Sequence, residues 1–248
     1  MRADWPASHH QVLSAPRQIA AAIKRDILDG VLKPGDKLPG EAGLAAMFGV
    51  SRPTVRAGLQ ELCASRILAV RRGRNGGYHV DRLSLSVLET SVTEFISLSL
   101  VVETLEPAQF LEVRFGHELL VAELAAVKRT EASLARLDLL RTETFTAGHD
   151  ARAAFELDLR FHQALAEATE NPLLVSFEGA MIAVLRRLLG DGASISPEQS
   201  LGGVEEVVEA VRASDSGRAR NAMQRHLSHA ASYYAAELAT FTPGTAGQ

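Results

Sequence analysis

The junction Gly49-Val50-Ser51-Arg52-Pro53-Thr54-Val55-Arg56 leaves this chain few ways to fold. Ser51 can cap a helix, Pro53 is tolerated in its first turn, and Val55, Leu59 and Leu62 recur at intervals of four and three. That stripe turns toward a core and leaves Arg52, Arg56 and Gln60 pointing the other way. Just upstream, Glu41 to Phe48 forms a short amphipathic run, with Leu44 and Phe48 four apart on one face. Two helices joined by a glycine-containing turn, the second with a basic N-terminal turn facing outward, make a helix-turn-helix. The second helix of that motif enters the major groove of DNA by its N-terminal end. Arginine suits the place, because its planar fork matches guanine O6 and N7, or a phosphate, bidentately.

The flanking residues extend the pattern. Ile19, Ile23 and Ile27 mark a helix ending near Gly30, and Leu32 to Pro39 reads as a turn-rich connector. Downstream, Leu68 and Val70 alternate into a basic, glycine-rich stretch from Arg71 to Val80, which reads as two short strands around a hairpin. Such a hairpin is a wing, whose glycines let backbone approach a groove while its arginines meet phosphates.

Three segments carry a family resemblance. They are Ile27-x-x-Gly30-x-Leu32-x-Pro34-Gly35-x-x-Leu38-Pro39, then Phe48-Gly49-Val50-Ser51-Arg52-x-Thr54-Val55-Arg56, then Arg71-x-Gly73-x-x-Gly76-Gly77. In this order the region resembles the winged helix-turn-helix of the GntR family of bacterial transcription regulators. The resemblance implies DNA contacts from Ser51, Arg52, Thr54, Arg56 and Gln60 on the recognition helix and from Arg72, Arg74, Asn75 and Gly76 on the wing. It also exposes departures. The Glu-Arg pair usual after Leu-Pro is replaced by Glu41 followed by Ala42 and Gly43, so one arginine contact is missing. Gly58 stands where alanine is common and costs about 1 kcal/mol of helix propensity.

Charge separates the chain into two parts. The overall charge of −4 would argue against nucleic acid. Residues 1–82, however, hold 13 Lys+Arg against 7 Asp+Glu, net +6, whereas residues 83–248 hold 13 against 23, net −10. The basic part is the one that meets phosphate. At 248 residues and 46% hydrophobic content the chain is long enough for two cores. The reading is a flexible arm at 1–16, a winged helix-turn-helix at 17–80, a linker at 81–86, a helical domain at 87–240 and a frayed tail at 241–248. Cys63 is the only cysteine, which rules out an intramolecular disulfide framework and a Cys-based zinc finger. With no signal-peptide pattern and no apolar run long enough to span a bilayer, the expectation is a cytoplasmic protein without a membrane partner.

From Val87 onward nearly everything has helical spacing. Segments are expected near 87–101, 106–128, 130–146, 150–169, 172–190, 197–213 and 215–240, with starting signals at Thr130, Asp150, Asn171-Pro172, Ser196-Pro197 and Asp215. The fold class is thus mainly α, a winged helix-turn-helix of three helices and a two-stranded wing followed by an all-helical bundle. Glu112-Val113-Arg114, Asp158-Leu159-Arg160-Phe161-His162, Asn171-Pro172-Leu173 and Ala222-Met223-Gln224-Arg225-His226-Leu227 resemble the FadR-type branch of the family, whose helical FCD domain binds a small effector and dimerises.

Asp158 and His162 are four apart in an apolar stripe continued by Phe155 and Leu165. Either each satisfies the other or a neighbouring arginine as a buried pair, or together they offer oxygen and nitrogen donors to one cation. The FCD resemblance implies the second, with Asp158, His162 and His226 as ligands of a divalent metal such as zinc or nickel. The position 22 residues before His226, where the resemblance implies a further histidine, is Val204. Three protein ligands remain, and a metal-free pocket is the alternative. His229 stands one turn beyond His226, and His117 lies on an apolar stripe where a satisfied core histidine is the simpler reading. Arg114, at the motif position, is the favoured grip for an effector carboxylate, with Asp158, His162 and His226 beside it. Arg186 and Arg187 are adjacent, so at least one of them must face away.

These readings converge on a ligand-responsive transcription regulator, not an enzyme and with no catalytic residues. It would bind a palindromic double-stranded operator as a homodimer and act as a repressor released by a small carboxylate effector. Two other classes stay open: a metal-dependent helical-bundle enzyme around the same three ligands, and a constitutive DNA-binding protein with a vestigial pocket.

Overall fold

Helix α1 (Ala15–Leu28) takes Pro16 into its first turn, so it begins two residues before the expected boundary at 17. The structure, a computed structural model, describes residues 13–73, 76–82, 84–146, 150–189, 196, 198 and 201–240. Residues 1–12 of the arm expected at 1–16 and the tail expected at 241–248 lie outside the described residues. Contacts divide the chain into two compact units between Ser84 and Leu85.

In the first unit, α2 (Glu41–Phe48) is stopped by Gly49, whose φ of 66° a side chain would resist. Helix α3 (Arg52–Ala64) follows, with Ser51 Oγ accepting the Thr54 amide at 3.3 Å. Ile19, Ile23, Leu38, Leu44, Val55, Leu59 and Leu62 close a small core beneath these helices. Phe48 departs from expectation and is 36% exposed. The eight-residue helix turns Leu44 and Ala45 inward instead, and its last turn projects past the core.

Strands β1 (Leu68–Arg71) and β2 (Gly77–Val80) pair antiparallel, Leu68 opposite Val80 and Arg71 opposite Gly77. The connector is more than a series of turns. Leu38 N donates to Tyr78 O and Val80 N to Asp36 O, both at 2.9 Å, while Gly35 N donates to Val80 O at 2.8 Å. The connector therefore occupies the free edge of β2 and ties the wing to the helices.

The second unit, among the described residues, is helical throughout. It comprises α4 (Leu85–Val101), α5 (Pro107–Lys128), α6 (Glu131–Thr146), α7 (Ala151–Glu167), α8 (Pro172–Leu189), α9 (Val204–Arg212) and α10 (Ser216–Thr240). Helix α4 starts inside the stretch expected as linker. The starting signals act as expected at four places. The side chains of Thr130, Asp150, Asn171 and Asp215 accept backbone amides of Ser133, Ala153, Leu173 and Arg218 at 2.9 to 3.1 Å.

The helix expected over 197–213 is interrupted, with Glu198 and Leu201 helical, Gly202 and Gly203 in a turn, and α9 beginning at Val204. Gly203 holds φ 87° immediately before it, so the glycine pair Gly202-Gly203 breaks the run that the sequence suggested was continuous. Pro197, the expected signal, lies outside the described residues. Helices α5, α7, α9 and α10 share a core of Val121, Ala122, Phe161, Leu165, Val207 and Met223. Each large side chain buried there contributes roughly 1.5–3 kcal/mol. No helix among the described residues is long and apolar enough to cross a membrane.

Candidate functional site

The first unit presents its basic face on α3 and the wing. Arg52, Arg56, Gln60 and Arg72 are exposed, as expected of groups that meet a nucleic acid. Ser51 and Thr54 are joined, Oγ to Oγ1, at 2.7 Å, so both hydroxyls contribute to the start of the helix. Arg56 is not a free cation. Its Nε donates to Glu41 Oε1 at 2.9 Å and its Nη2 to Glu41 Oε2 at 2.7 Å, a bidentate pair linking α3 to the first residue of α2. Gly76 closes the wing turn by donating to Gly73 O at 2.8 Å, and a Cβ there would lie 2.7 Å from two backbone oxygens. Arg74 and Asn75 lie outside the described residues.

The second unit holds a buried polar centre. Helix α7 carries Asp158 and His162, α10 brings His226, α5 brings Arg114 and Glu118, and α8 brings Glu178; all six are buried. Asp158 and His162 do not satisfy each other, since Asp158 Oδ1 stands 3.7 Å from His162 Nε2. Instead His162 Nδ1 lies 2.7 Å from Glu118 Oε2, and His226 Nδ1 lies 2.8 Å from the Gly202 carbonyl. Both partners are acceptors, so each ring carries its proton on Nδ1 and turns Nε2 inward. The Gly202-Gly203 break is what delivers that carbonyl, and a Cβ on Gly203 would come within 3.3 Å of His226.

The inward atoms then face one another. His162 Nε2 and His226 Nε2 are 3.1 Å apart, Asp158 Oδ1 is 3.2 Å from His226 Nε2, and that oxygen accepts no hydrogen bond among the described residues. Two lone pairs and a carboxylate oxygen converging in a buried space require a positive charge between them. Donors arranged tetrahedrally around zinc sit about 3.3 Å apart, which these spacings approach. The fixed Nδ1–H partners are the outer hydrogen bonds that orient metal-ligating imidazoles. The residues present therefore fit a divalent ion. Phe161 packs edge-on against both rings, with centroids 5.7 and 5.8 Å away, and helps hold them.

The surrounding charges are paired in sequence along α5. Arg114 Nη2 lies 2.8 Å from Glu118 Oε1, one turn on. Burial opposes ionisation of Glu118, but His162 and Arg114 outweigh it and draw its pKa down to about 2. For His162 burial works against charge, and the carboxylates of Glu118 and Asp158 reverse it, raising the pKa. A proton is thus the centre's other means of balancing its lone pairs. Glu178 is pushed the other way, by burial and by Glu118, and His117 Nε2 stands 3.1 Å from it.

Glu118 and Glu178 were missed by sequence reasoning. The first had a signal, the i,i+4 spacing from Arg114; the second is a lone carboxylate within the apolar run of α8. His117 is a core histidine facing Glu178, whereas His229 is exposed. Val204 is buried in the apolar core and supplies no donor atom. Arg186 pairs with Glu156 at the surface at 2.7 Å, and Arg187 is exposed.

Comparison with known proteins places both units. Residues 16–77 match the model described as bacterial regulatory proteins, gntR family, and residues 109–229 match the FCD domain. The HTH-type transcriptional regulator LutR of Bacillus subtilis (strain 168) is 32% identical over 82% of this chain and 93% of its own length. The galactonate operon transcriptional repressor of Escherichia coli (strain K12) is 28% identical over 85% of this chain and 92% of its own. A putative L-lactate dehydrogenase operon regulatory protein of the same organism is 28% identical over 85% and 83%. Among solved structures, a Streptococcus agalactiae GntR protein aligns over 88% of this chain and 99% of its own, with 26% identity and a TM-score of 0.55.

Proposed function

Since the chain belongs to the GntR family of bacterial transcription regulators, with a winged helix-turn-helix and an FCD domain, we propose that it acts as a homodimeric repressor released by a small carboxylate bound beside a divalent metal. The observation that carries the metal is the meeting of Asp158 Oδ1 with the two inward-facing Nε2 atoms, each ring fixed from behind. Asp158, His162 and His226 would hold the ion. A zinc or nickel ion there would supply a Lewis-acidic position for an oxygen of the effector. Val204 in place of a fourth protein donor leaves more of the ion's coordination to the ligand.

The effector class has two supports. Arg114 stands in the same buried cluster, and two relatives are named for operons of galactonate and of L-lactate dehydrogenase, whose substrates are hydroxy-carboxylates. Arg114 already faces Glu118, so its part is to balance that carboxylate beside the metal ligands as much as to grip a ligand. Binding in the bundle and binding of operator DNA are then coupled reciprocally.

The homodimer rests on surface pattern. Val113, Leu120 and Val127 recur at intervals of seven on α5, and Phe95 and Leu98 on α4 are continued at the same helical spacing by Val102 just past its end. All six are exposed, Phe95 by 73% and Val127 by 67%. A seven-residue repeat of apolar side chains suits a helix lying along its own copy about a two-fold axis.

Calorimetric titration of zinc and nickel into chelator-stripped protein tests the centre. One ion per chain, lost in His162→Ala, is the expected result. Absence of specific binding would leave the proton on His162 as the balancing charge and the pocket metal-free.

A further inference from the structure

Arg56 is exposed on the outward face of α3, yet its charge is already met by Glu41. The pair uses one particular edge of the guanidinium. Glu41 takes the Nε–H and one hydrogen of Nη2, at 2.9 and 2.7 Å. Three of the five N–H donors remain, and of these one hydrogen of Nη1 and the outer hydrogen of Nη2 form the second, end-on fork of the group. Glu41 is itself fixed. It opens α2, fifteen residues before Arg56, and the Tyr78 hydroxyl of β2 stands 3.5 Å from its Oε1. One carboxylate therefore links the first helix of the motif, the recognition helix and the wing.

This arrangement separates two kinds of DNA contact. A phosphate is held chiefly by net positive charge, which a carboxylate within 3 Å largely cancels. Guanine O6 and N7 are neutral acceptors, for which the direction of a fork matters more than its charge. A guanidinium neutralised on its side edge and aimed by its end edge is poor at the first and well suited to the second. Arg52, one turn earlier, makes no salt bridge among the described residues and feels Glu41 only through space.

We propose that Glu41 is a positioning residue that turns Arg56 into a reader of one guanine in each operator half-site. This rests on the reading that α3 enters the major groove, and it goes further in assigning Arg56 to a base, not to the backbone. Glu41 then determines sequence preference without touching DNA.

The test uses the full chain and duplexes selected from a random pool on the wild-type protein. Affinities of wild type, Arg56→Ala, Glu41→Gln and the double variant are measured for every single-base-pair change in the selected site, at several salt concentrations. Arg56→Ala is expected to lose about tenfold of guanine preference at one position per half-site, with an unchanged slope of log affinity against log salt. Glu41→Gln should lose most of the same preference at the same position, and should add nothing in the Arg56→Ala background. A slope shallower by about 0.9 in Arg56→Ala, with preference intact, would make Arg56 a phosphate contact and overturn the proposal. So would an undiminished preference in Glu41→Gln, or uniformly tighter binding by that variant, which would make Glu41 a brake on Arg56. Wild-type binding by both Arg52→Ala and Arg56→Ala would sink the underlying placement of α3 instead.

Discussion

Gly58 illustrates how a single residue can be misjudged from its local propensity. In the middle of α3 a glycine costs about 1 kcal/mol relative to alanine, so exchange for alanine would be expected to stabilise. In the fold Gly58 is buried where α1 crosses α3, and a Cβ there would lie 2.6 Å from the Pro16 carbonyl and 3.4 Å from Ile19. Backbone cannot yield as a flexible side chain does. Overpacking of this kind costs roughly 1–3 kcal/mol, enough to cancel the propensity gain. Gly58→Ala should therefore lower the urea midpoint, with a net loss of about 1 kcal/mol; a raised midpoint would mean that α1 shifts freely. The sequence exposes the glycine but not its reason, because Pro16 is far away along the chain. Glu118 and Glu178 were hidden in the same way. Their spacing marks helix faces, and only the packing of α5 and α8 around α7 brings them to His162 and His117.

Elements were more legible than residues wherever their signals are local. The stripes and caps of α2, α3, α5, α7 and α8 sit within a few residues of the ends they set, and the ends of α2, α5, α7 and α8 fall within two residues of expectation. Two features depend on distant partners and were not legible. The connector at Gly35 to Leu38 gains its extended form only by pairing with β2, and the interruption before α9 comes at a left-handed Gly203 packed on His226. Helix α5 has two apolar faces. Its inward face packs in the bundle core, while Val113, Leu120 and Val127 remain outward. If that face joins two copies, Leu120→Asp places facing carboxylates at the seam and should convert a dimer to a monomer of unchanged helical content, read by sedimentation. A variant that sediments as the wild type does would move the interface off α5.

For the whole molecule, the two units divide the work according to charge and chemistry. The basic unit carries arginines on one outward face; the acidic unit buries a centre of three converging donors beside an Arg114–Glu118 pair. That division was visible in the charge asymmetry and in the family motifs. The donor geometry was visible only in part, since the sequence supplied Asp158, His162 and His226 but neither their outer hydrogen bonds nor the absence of an Asp158–His162 bond.

In the proposed function, an anion seated at this centre governs DNA binding. The direct measurement is operator affinity of the zinc-loaded full chain, for wild type and His162→Ala, across a series including lactate and galactonate. At least one small carboxylate is expected to weaken wild-type binding by tenfold or more, about 1.4 kcal/mol of coupling, and to leave His162→Ala unmoved. Wild-type affinity indifferent to every carboxylate, or a variant released equally well, would contradict it.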